Sequence, residues 1–164
     1  MRVELNKADL RELLFDSYGL IMALDPPKKK NNKYEIESKS KLRSLPEALR
    51  EFEDPSAEVA HFVKHASYFL PRSNLNRFLD NLLEKINKIQ KNTNQPEIVK
   101  EKVRYLIGYT NWGIDAILNV FNNTNSETEL KQALDRMISA ELEIVGASEK
   151  EKEELVNKIM EWKK

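Results

Sequence analysis

Apolar residues recur along most of this chain at the three- and four-residue spacing that is typical of amphipathic α-helices. The clearest stretch is 74–91, whose apolar positions are Leu75, Phe78, Leu79, Leu82, Leu83, Ile86 and Ile89. The opposite side of that stretch is polar and carries Asn74, Arg77, Asn81, Lys85 and Lys88. This division predicts a helix over 74–91 that buries one face.

The first predicted helix begins after Asn6, a residue type that caps helices well, and Asp9 is favourable in its first turn. Its apolar positions follow at helical spacing and are Leu10, Leu13, Leu14, Tyr18, Ile21 and Met22. The run "DPPKKKNNK" (25–33) ends it, because its prolines cannot continue a helix and its lysines and asparagines are typical of solvated chain. We therefore expect a flexible loop at 25–38, and we find no convincing strand pattern in the sequence.

The remaining helices are bounded by local signals. A short helix is predicted within 39–52, and a longer one after Asp54 carries an apolar stripe formed by Val59, Phe62, Val63, Ala66 and Phe69. Pro96 lies near the start of another helix. Two capping boxes open the last two helices, and they are formed by Ser126 with Glu129 and by Ser148 with Glu151. Gly146, between those helices, is a typical C-terminal cap.

The apolar stretch "KVRYLIGYTNWGIDAILNVF" (102–121) contains Gly108 and Gly113, although glycine in a helix costs about 1 kcal/mol against alanine. In one interpretation the helix kinks or turns briefly between the two glycines, and Trp112 caps one end of the core. In the other, the helix runs through to Phe121 and the glycines let neighbouring backbones approach closely. The "TN" pair in the middle disfavours a helix interior, so we favour the kink or short turn.

These elements predict an all-α protein, a compact antiparallel bundle of five or six helices in one domain spanning 1–164. Apolar residues make up 40% of the chain, which is enough for a core. There are no cysteines, and the first residues, "MRVELNKADL", lack the apolar centre of a signal peptide. No apolar run is long enough to span a membrane. We therefore expect a cytoplasmic protein without membrane contact.

Candidate catalytic chemistry is sparse. His61 and His65 have the i, i+4 spacing of zinc ligands, but Phe62 stands where a metalloprotease helix has its glutamate, and no third ligand stands out. The sequence has no glycine-rich phosphate loop and no persuasive Ser–His–Asp order. We predict no enzymatic activity, no metal site and no cofactor.

Basic residues gather on two consecutive predicted helices, and the candidates for contact with a nucleic-acid backbone are Arg72, Arg77, Lys85, Lys100, Lys102 and Arg104. If the two helices are antiparallel neighbours, these side chains form one patch that neutralises phosphates independently of sequence. The alternative is a mixed surface, in which the cations pair with Glu84, Glu97 and Glu101. With lysine plus arginine (27) equal to aspartate plus glutamate (27), the residues alone favour that alternative.

Residues 57–145 also resemble the small helical subunit of type III-A CRISPR–Cas (Csm) effector complexes. The likeness rests on "LPRSNLNRFLDNLLEKI", on "KEKVRYLIGYTN" with Lys100, Lys102, Tyr105 and Gly108, on "GIDAILNVF", and on "ELKQALDRMISAELEIVG". Two basic positions of the family are absent, since this chain has Asn76 and Tyr109 there. The all-helical small subunit of type III-B (Cmr) complexes is an alternative relative.

The resemblance implies a non-catalytic subunit in antiviral defence. Several copies would associate with each other and with the other subunits of the effector complex. They would contact the backbones of crRNA and target RNA, while base pairing supplies sequence specificity. Gly108 would lie where the chain kinks between two packed helices. The rival hypothesis from the residues is a helical protein–protein adaptor that does not bind RNA, whose basic residues are ion-paired and whose exposed apolar patch binds the partner.

Overall fold

The computed structural model describes residues 5–36 and 75–163. Within these ranges the chain forms five helices and one hairpin, and the elements are α1 (Lys7–Ile21), β1 (Lys28–Lys30), β2 (Lys33–Glu35), α2 (Leu75–Asn92), α3 (Pro96–Asn123), α4 (Glu127–Glu143) and α5 (Glu149–Lys163). The predicted all-α helical bundle is confirmed. The predicted helices within 39–52 and after Asp54, together with His61, His65 and Arg72, lie outside the described residues.

Helix α1 lies against α3, its main partner, and also contacts α2. It runs parallel to α3, because Asp9 reaches Lys102 near the start of both helices and Ile21 reaches Gly113 further along both. It runs antiparallel to α4. Arg11, near the start of α1, donates to the Gly146 carbonyl beyond the end of α4, and Tyr18, later in α1, donates to Glu141, which comes earlier in the chain. Short connections at 93–95, 124–126 and 144–148 link consecutive helices from α2 to α5.

All five helices contribute to one core. The side chains that are fully enclosed include Ile21, Leu79, Leu82, Ile86, Leu106, Ile117, Leu134, Ile138, Leu142 and Ile159. Ile21, Leu79, Leu82 and Ile86 among them belong to the apolar stripes read from the sequence. Burial of such side chains contributes about 1.5–3 kcal/mol each and is the main stabilising contribution to the bundle.

The local caps have the expected form. Asn6 Oδ1 accepts from the Asp9 N–H at 2.8 Å. Ser148 and Glu151 form a reciprocal capping box, with N–H to side-chain distances of 3.1 and 3.2 Å. Gly146 has φ +75°, and the Gly146 and Ala147 N–H groups donate to the carbonyls of Glu143 and Leu142, the two bonds of a Schellman motif.

Helix α3 is uninterrupted from Pro96 to Asn123, so no short turn separates the two glycines, and that part of the favoured interpretation is wrong. Thr110 fits in the helix because its hydroxyl donates to the Leu106 carbonyl at 2.7 Å. The close-approach interpretation holds for Gly113, where an added β-carbon would lie 2.6 Å from Ile21 Cδ1. It does not hold for Gly108, which is exposed and has nothing within 4 Å of that position.

The sequence pattern predicted a flexible loop at 25–38 and no strands, and this is corrected for residues 28–35. Strands β1 and β2 pair antiparallel with Lys28 opposite Glu35, Lys29 opposite Tyr34 and Lys30 opposite Lys33. Asn31 and Asn32 form the turn with φ of 53° and 66°, a type I′ geometry that asparagine tolerates. The hairpin was missed because lysine-rich segments have low strand propensity.

The tryptophan that packs against the core is not the expected one. Trp112 is 53% exposed and does not cap the core. Trp162 of α5 is partly buried instead, and its ring lies 6.4 Å from that of Phe121. Its Nε1–H donates to the Leu24 carbonyl at 2.9 Å, which ties α5 to the end of α1.

Candidate nucleic-acid interface

Three carboxylates of α1 pair with lysines of α2 and α3, and two of those lysines, Lys85 and Lys102, belong to the predicted basic patch. Asp9, Glu12 and Asp16 follow the i, i+3, i+7 spacing that places residues on one side of a helix. Their partners are lysines of α2 and α3, at N···O distances of 3.4 Å for Asp9 with Lys102, 2.7 Å for Glu12 with Lys88 and 3.2 Å for Asp16 with Lys85. We call these three carboxylates the acidic row of α1.

The acidic row changes the role of the lysines that it contacts. The side chain of Lys102 is only 19% exposed and also donates to Thr93 Oγ1 at 3.5 Å. The hydrogen bond with Glu12 raises the pKa of Lys88. The ammonium groups of Lys85 and Lys102 are partly buried and paired with α1, so both residues are poorer candidates for phosphate contacts than the sequence suggested.

The alternative ion pairs named from the sequence are only partly correct. Arg104 Nη1 lies 3.4 Å from Glu101 Oε2, in an i, i+3 pair on α3. The lysines pair with α1 instead, a contact between helices that spacing along one helix does not reveal. Arg77 and Lys100 are exposed, and neither makes an ion pair with any carboxylate in the part of the chain described.

One face of α3 combines cations with an exposed aromatic ring. Lys100, Arg104, Gly108 and Trp112 follow each other at four-residue spacing, and all four are exposed. We call them the α3 stripe. Successive members are about 6 Å apart along the helix axis. The Arg104 side chain is 60% exposed, so its pair with Glu101 does not remove it from solvent.

The α3 stripe has the chemistry of a surface that binds single-stranded nucleic acid. Ammonium and guanidinium groups neutralise phosphates, and an exposed indole offers a flat face on which a base can stack. Gly108 carries no side chain, so a ligand can approach the helix backbone between Arg104 and Trp112. The cations are visible in the sequence, whereas Trp112 was expected to cap the core. In the uninterrupted helix, its eight-residue spacing from Arg104 places the two residues on one side.

A buried tyrosine–carboxylate pair lies elsewhere, between α1 and α4. The hydroxyl of Tyr18 donates to Glu141 Oε2. Burial raises the pKa of Tyr18 strongly, and the Glu141 charge adds to this. Burial also raises the pKa of Glu141, while the hydrogen bond from Tyr18 opposes that shift. The pair links two helices and does not contact the α3 stripe.

Among residues 5–36 and 75–163, no group of three histidine or carboxylate side chains is placed to hold a metal ion. No helix in the same ranges combines the length and apolar character needed to cross a membrane.

The sequence matches no protein-family model, and no curated protein or solved structure is detectably similar to the chain.

Proposed function

We propose that this protein is a non-catalytic, RNA-binding small subunit of a type III CRISPR RNA-guided effector complex, in which several copies stack and contact the crRNA and target RNA backbones. The observation that carries the proposal is the α3 stripe, where exposed Trp112 continues the line of Lys100 and Arg104. The family likeness supports it, because Lys100 and Gly108 belong both to the stripe and to the motif that carries the resemblance.

The ion pairs refine the set of RNA-contacting residues. Lys100 and Arg104 supply the charge and Trp112 supplies stacking, while exposed Arg77 on α2 is a further candidate. Lys85 and Lys102 position α2 and α3 against α1 through the acidic row. Contacts of this kind act on phosphates and on any base, so they suit a subunit that must accept every guide sequence.

The test is binding of a fluorescent single-stranded RNA across a salt series. The double variant Lys100→Gln with Arg104→Gln should bind more weakly, and the slope of log K against log salt should fall by about 1.4, since each lost single-strand phosphate contact removes about 0.7. Lys102 is left intact because its replacement would disturb the contact with Asp9. Lys131→Gln with Arg136→Gln on α4 is the matched control, because both residues are exposed and the charge change is equal.

Trp112→Ala separates stacking from charge. Loss of one stacked base should cost about 1–3 kcal/mol of binding free energy and leave the salt slope unchanged. If the wild-type protein does not bind RNA even at low salt, or if the α4 control loses as much affinity as the stripe variant, the RNA-binding role is wrong.

The adaptor hypothesis has one observation in its favour. Trp112 and Ile144 are the large apolar side chains that stand exposed within the described ranges, at 53% and 76%. Exposed tryptophans frequently dominate protein interfaces. An adaptor predicts that no variant of the α3 stripe changes RNA affinity, whereas the proposed function predicts that Trp112→Ala does.

A further inference from the structure

The hairpin of residues 28–35 carries more unpaired positive charge than the predicted patch on α2 and α3. Lys28, Lys29, Lys30 and Lys33 are all exposed. Within the described ranges none of the four makes an ion pair with a carboxylate. Lys85, Lys88 and Lys102 pair with the acidic row of α1, whereas these four lysines form an open cationic surface within the described ranges.

The register of the hairpin concentrates this charge on one face. Lys28 and Lys30 lie two residues apart on β1, so both point to the same face of the ribbon, about 6.6 Å apart along the strand. Lys33 lies directly opposite Lys30 and joins that face. Like charges directly opposite each other destabilise a strand pair. Glu35 faces Lys28 in the register but makes no ion pair with it.

Tyr34 fixes the hairpin to α3. Asn122 of α3 accepts the Tyr34 N–H at Oδ1, 2.6 Å away, and its Nδ2 donates to the Tyr34 carbonyl at 3.2 Å. One asparagine amide thus satisfies both backbone groups of an edge residue. The Tyr34 ring packs edge-on against Phe121 with a centroid distance of 5.7 Å.

Two further ammonium groups lie close to the Tyr34 ring. Lys29 Nζ and Lys163 Nζ each lie 5.2 Å from the centroid of the Tyr34 ring, a cation–π distance. Lys163 is near the end of α5, so a second element adds charge at the same end of the molecule. The hairpin, which Tyr34 fixes to α3, thus has three lysines on its open face, and the ammonium groups of Lys29 and Lys163 lie beside Tyr34.

We propose that this hairpin is a second phosphate-binding element, and that Lys28, Lys30 and Lys33 contact consecutive phosphates of the RNA strand. The choice of RNA as the ligand rests on the proposed function, whereas the anionic character of the ligand rests on the charge of the hairpin. The contact is electrostatic and independent of sequence, because the open face carries three ammonium groups against the one carboxylate of Glu35, and no aromatic ring.

The test compares the triple variant Lys28→Gln, Lys30→Gln, Lys33→Gln with a control in which the exposed helix residues Lys131, Lys150 and Lys158 are changed to Gln. Both lose three charges. With fluorescent single-stranded RNA, the hairpin variant should bind about tenfold more weakly or worse at low salt, and its salt slope should fall by about 2. The control should keep the wild-type slope. The hairpin variant should melt at or above the wild-type temperature, since Lys30 and Lys33 no longer repel each other.

The outcomes separate this inference from the proposed function. If the hairpin variant keeps wild-type affinity and slope while the Lys100→Gln, Arg104→Gln variant is weakened, the hairpin inference is wrong and the proposed function stands. If the hairpin variant is weakened and the variant of the α3 stripe is not, the hairpin is the RNA contact and the site assigned to α3 is wrong. If the wild-type protein does not bind RNA at low salt, both proposals are wrong.

Discussion

Ile21 Cδ1 lies 2.6 Å from the position that a β-carbon on Gly113 would occupy. Ile21 is completely buried, so its side chain has no solvent into which it can move. The absence of a side chain at Gly113 therefore lets α1 and α3 pack at this distance. Gly108, one and a half turns earlier on the same helix, meets nothing within 4 Å.

This difference predicts opposite effects for two substitutions of the same kind. Gly108→Ala should raise the free energy of unfolding by about 1 kcal/mol through helix propensity. Gly113→Ala gains the same helix propensity, but its methyl group crowds Ile21, and overpacking costs about 1–3 kcal/mol. The free energy of unfolding of Gly113→Ala should therefore be about 1–3 kcal/mol lower than that of Gly108→Ala. Urea unfolding of both variants measures the difference.

Ile21→Val supplies the control, because it removes the Cδ1 atom that Gly113→Ala would meet. The double variant should recover part of the stability lost by crowding, which a double-mutant cycle reports as a favourable coupling energy. Additive effects would show that Ile21 is not the obstacle.

The Asn122 amide should control the stability of the hairpin. Asn122→Ala removes both hydrogen bonds to the Tyr34 backbone, each worth about 0.5–1.5 kcal/mol net. Opening of the hairpin should then become easier, and exchange of the Tyr34 amide proton should accelerate about tenfold or more. Asn119→Ala, on an exposed position of the same helix, should leave that exchange unchanged. Equal exchange in the two variants would show that Asn122 does not hold the hairpin.

The Glu141 carboxyl should make stability depend on pH in the opposite direction from Glu151. Burial raises the pKa of Glu141, so the folded state holds its proton more tightly than the unfolded chain. Stability therefore falls as pH rises from the ordinary pKa of 4.5 through the raised value. The backbone N–H of Ser148 lowers the pKa of Glu151, and that contribution is lost as pH falls below 4.5.

Two substitutions isolate the Glu141 effect. Glu141→Gln keeps an acceptor for the Tyr18 hydroxyl without the buried charge, so it should remove the decline in stability above pH 4.5. Tyr18→Phe leaves the carboxylate without its donor and should cost about 1–3 kcal/mol at neutral pH and less in acid. Urea unfolding from about pH 4 to about pH 8 measures both. Unchanged pH dependence in Glu141→Gln would contradict the assignment.

Local sequence signals predicted the helices well, since their causes are local. The 74–91 stripe predicts α2 to within one residue at each end of Leu75–Asn92, and the Ser126 and Ser148 caps mark the starts of α4 and α5. A continuous α3 was considered but not favoured, because its support comes from packing: Gly113 is explained by Ile21 of α1, which is distant in the sequence but packed against α3. The hairpin was missed because its lysines have low strand propensity and because the bonds that fix it come from Asn122, far along the chain.

The candidate site was only partly predictable for the same reason. Lysine and arginine positions are visible in the sequence, but whether each is neutralised depends on which helix lies beside it. Lys102 looks equivalent to Lys100 in the sequence, yet Lys102 faces Asp9 and Lys100 faces solvent. Trp112 lies four residues after Gly108 and eight after Arg104, so in an uninterrupted helix the spacing places it on the same side as both.

The paired lysines should therefore contribute to stability and not to RNA binding. Lys85→Gln breaks the partly buried contact with Asp16, and a double-mutant cycle with Asp16→Asn should give a coupling of about 0.2–1 kcal/mol that weakens with salt. The same Lys85→Gln variant should keep the wild-type salt slope for RNA, whereas Lys100→Gln should lower it by about 0.7. Each variant loses one charge from a helix surface. Equal salt slopes for Lys85→Gln and Lys100→Gln would therefore show that pairing with the acidic row of α1 does not decide which lysines bind the RNA.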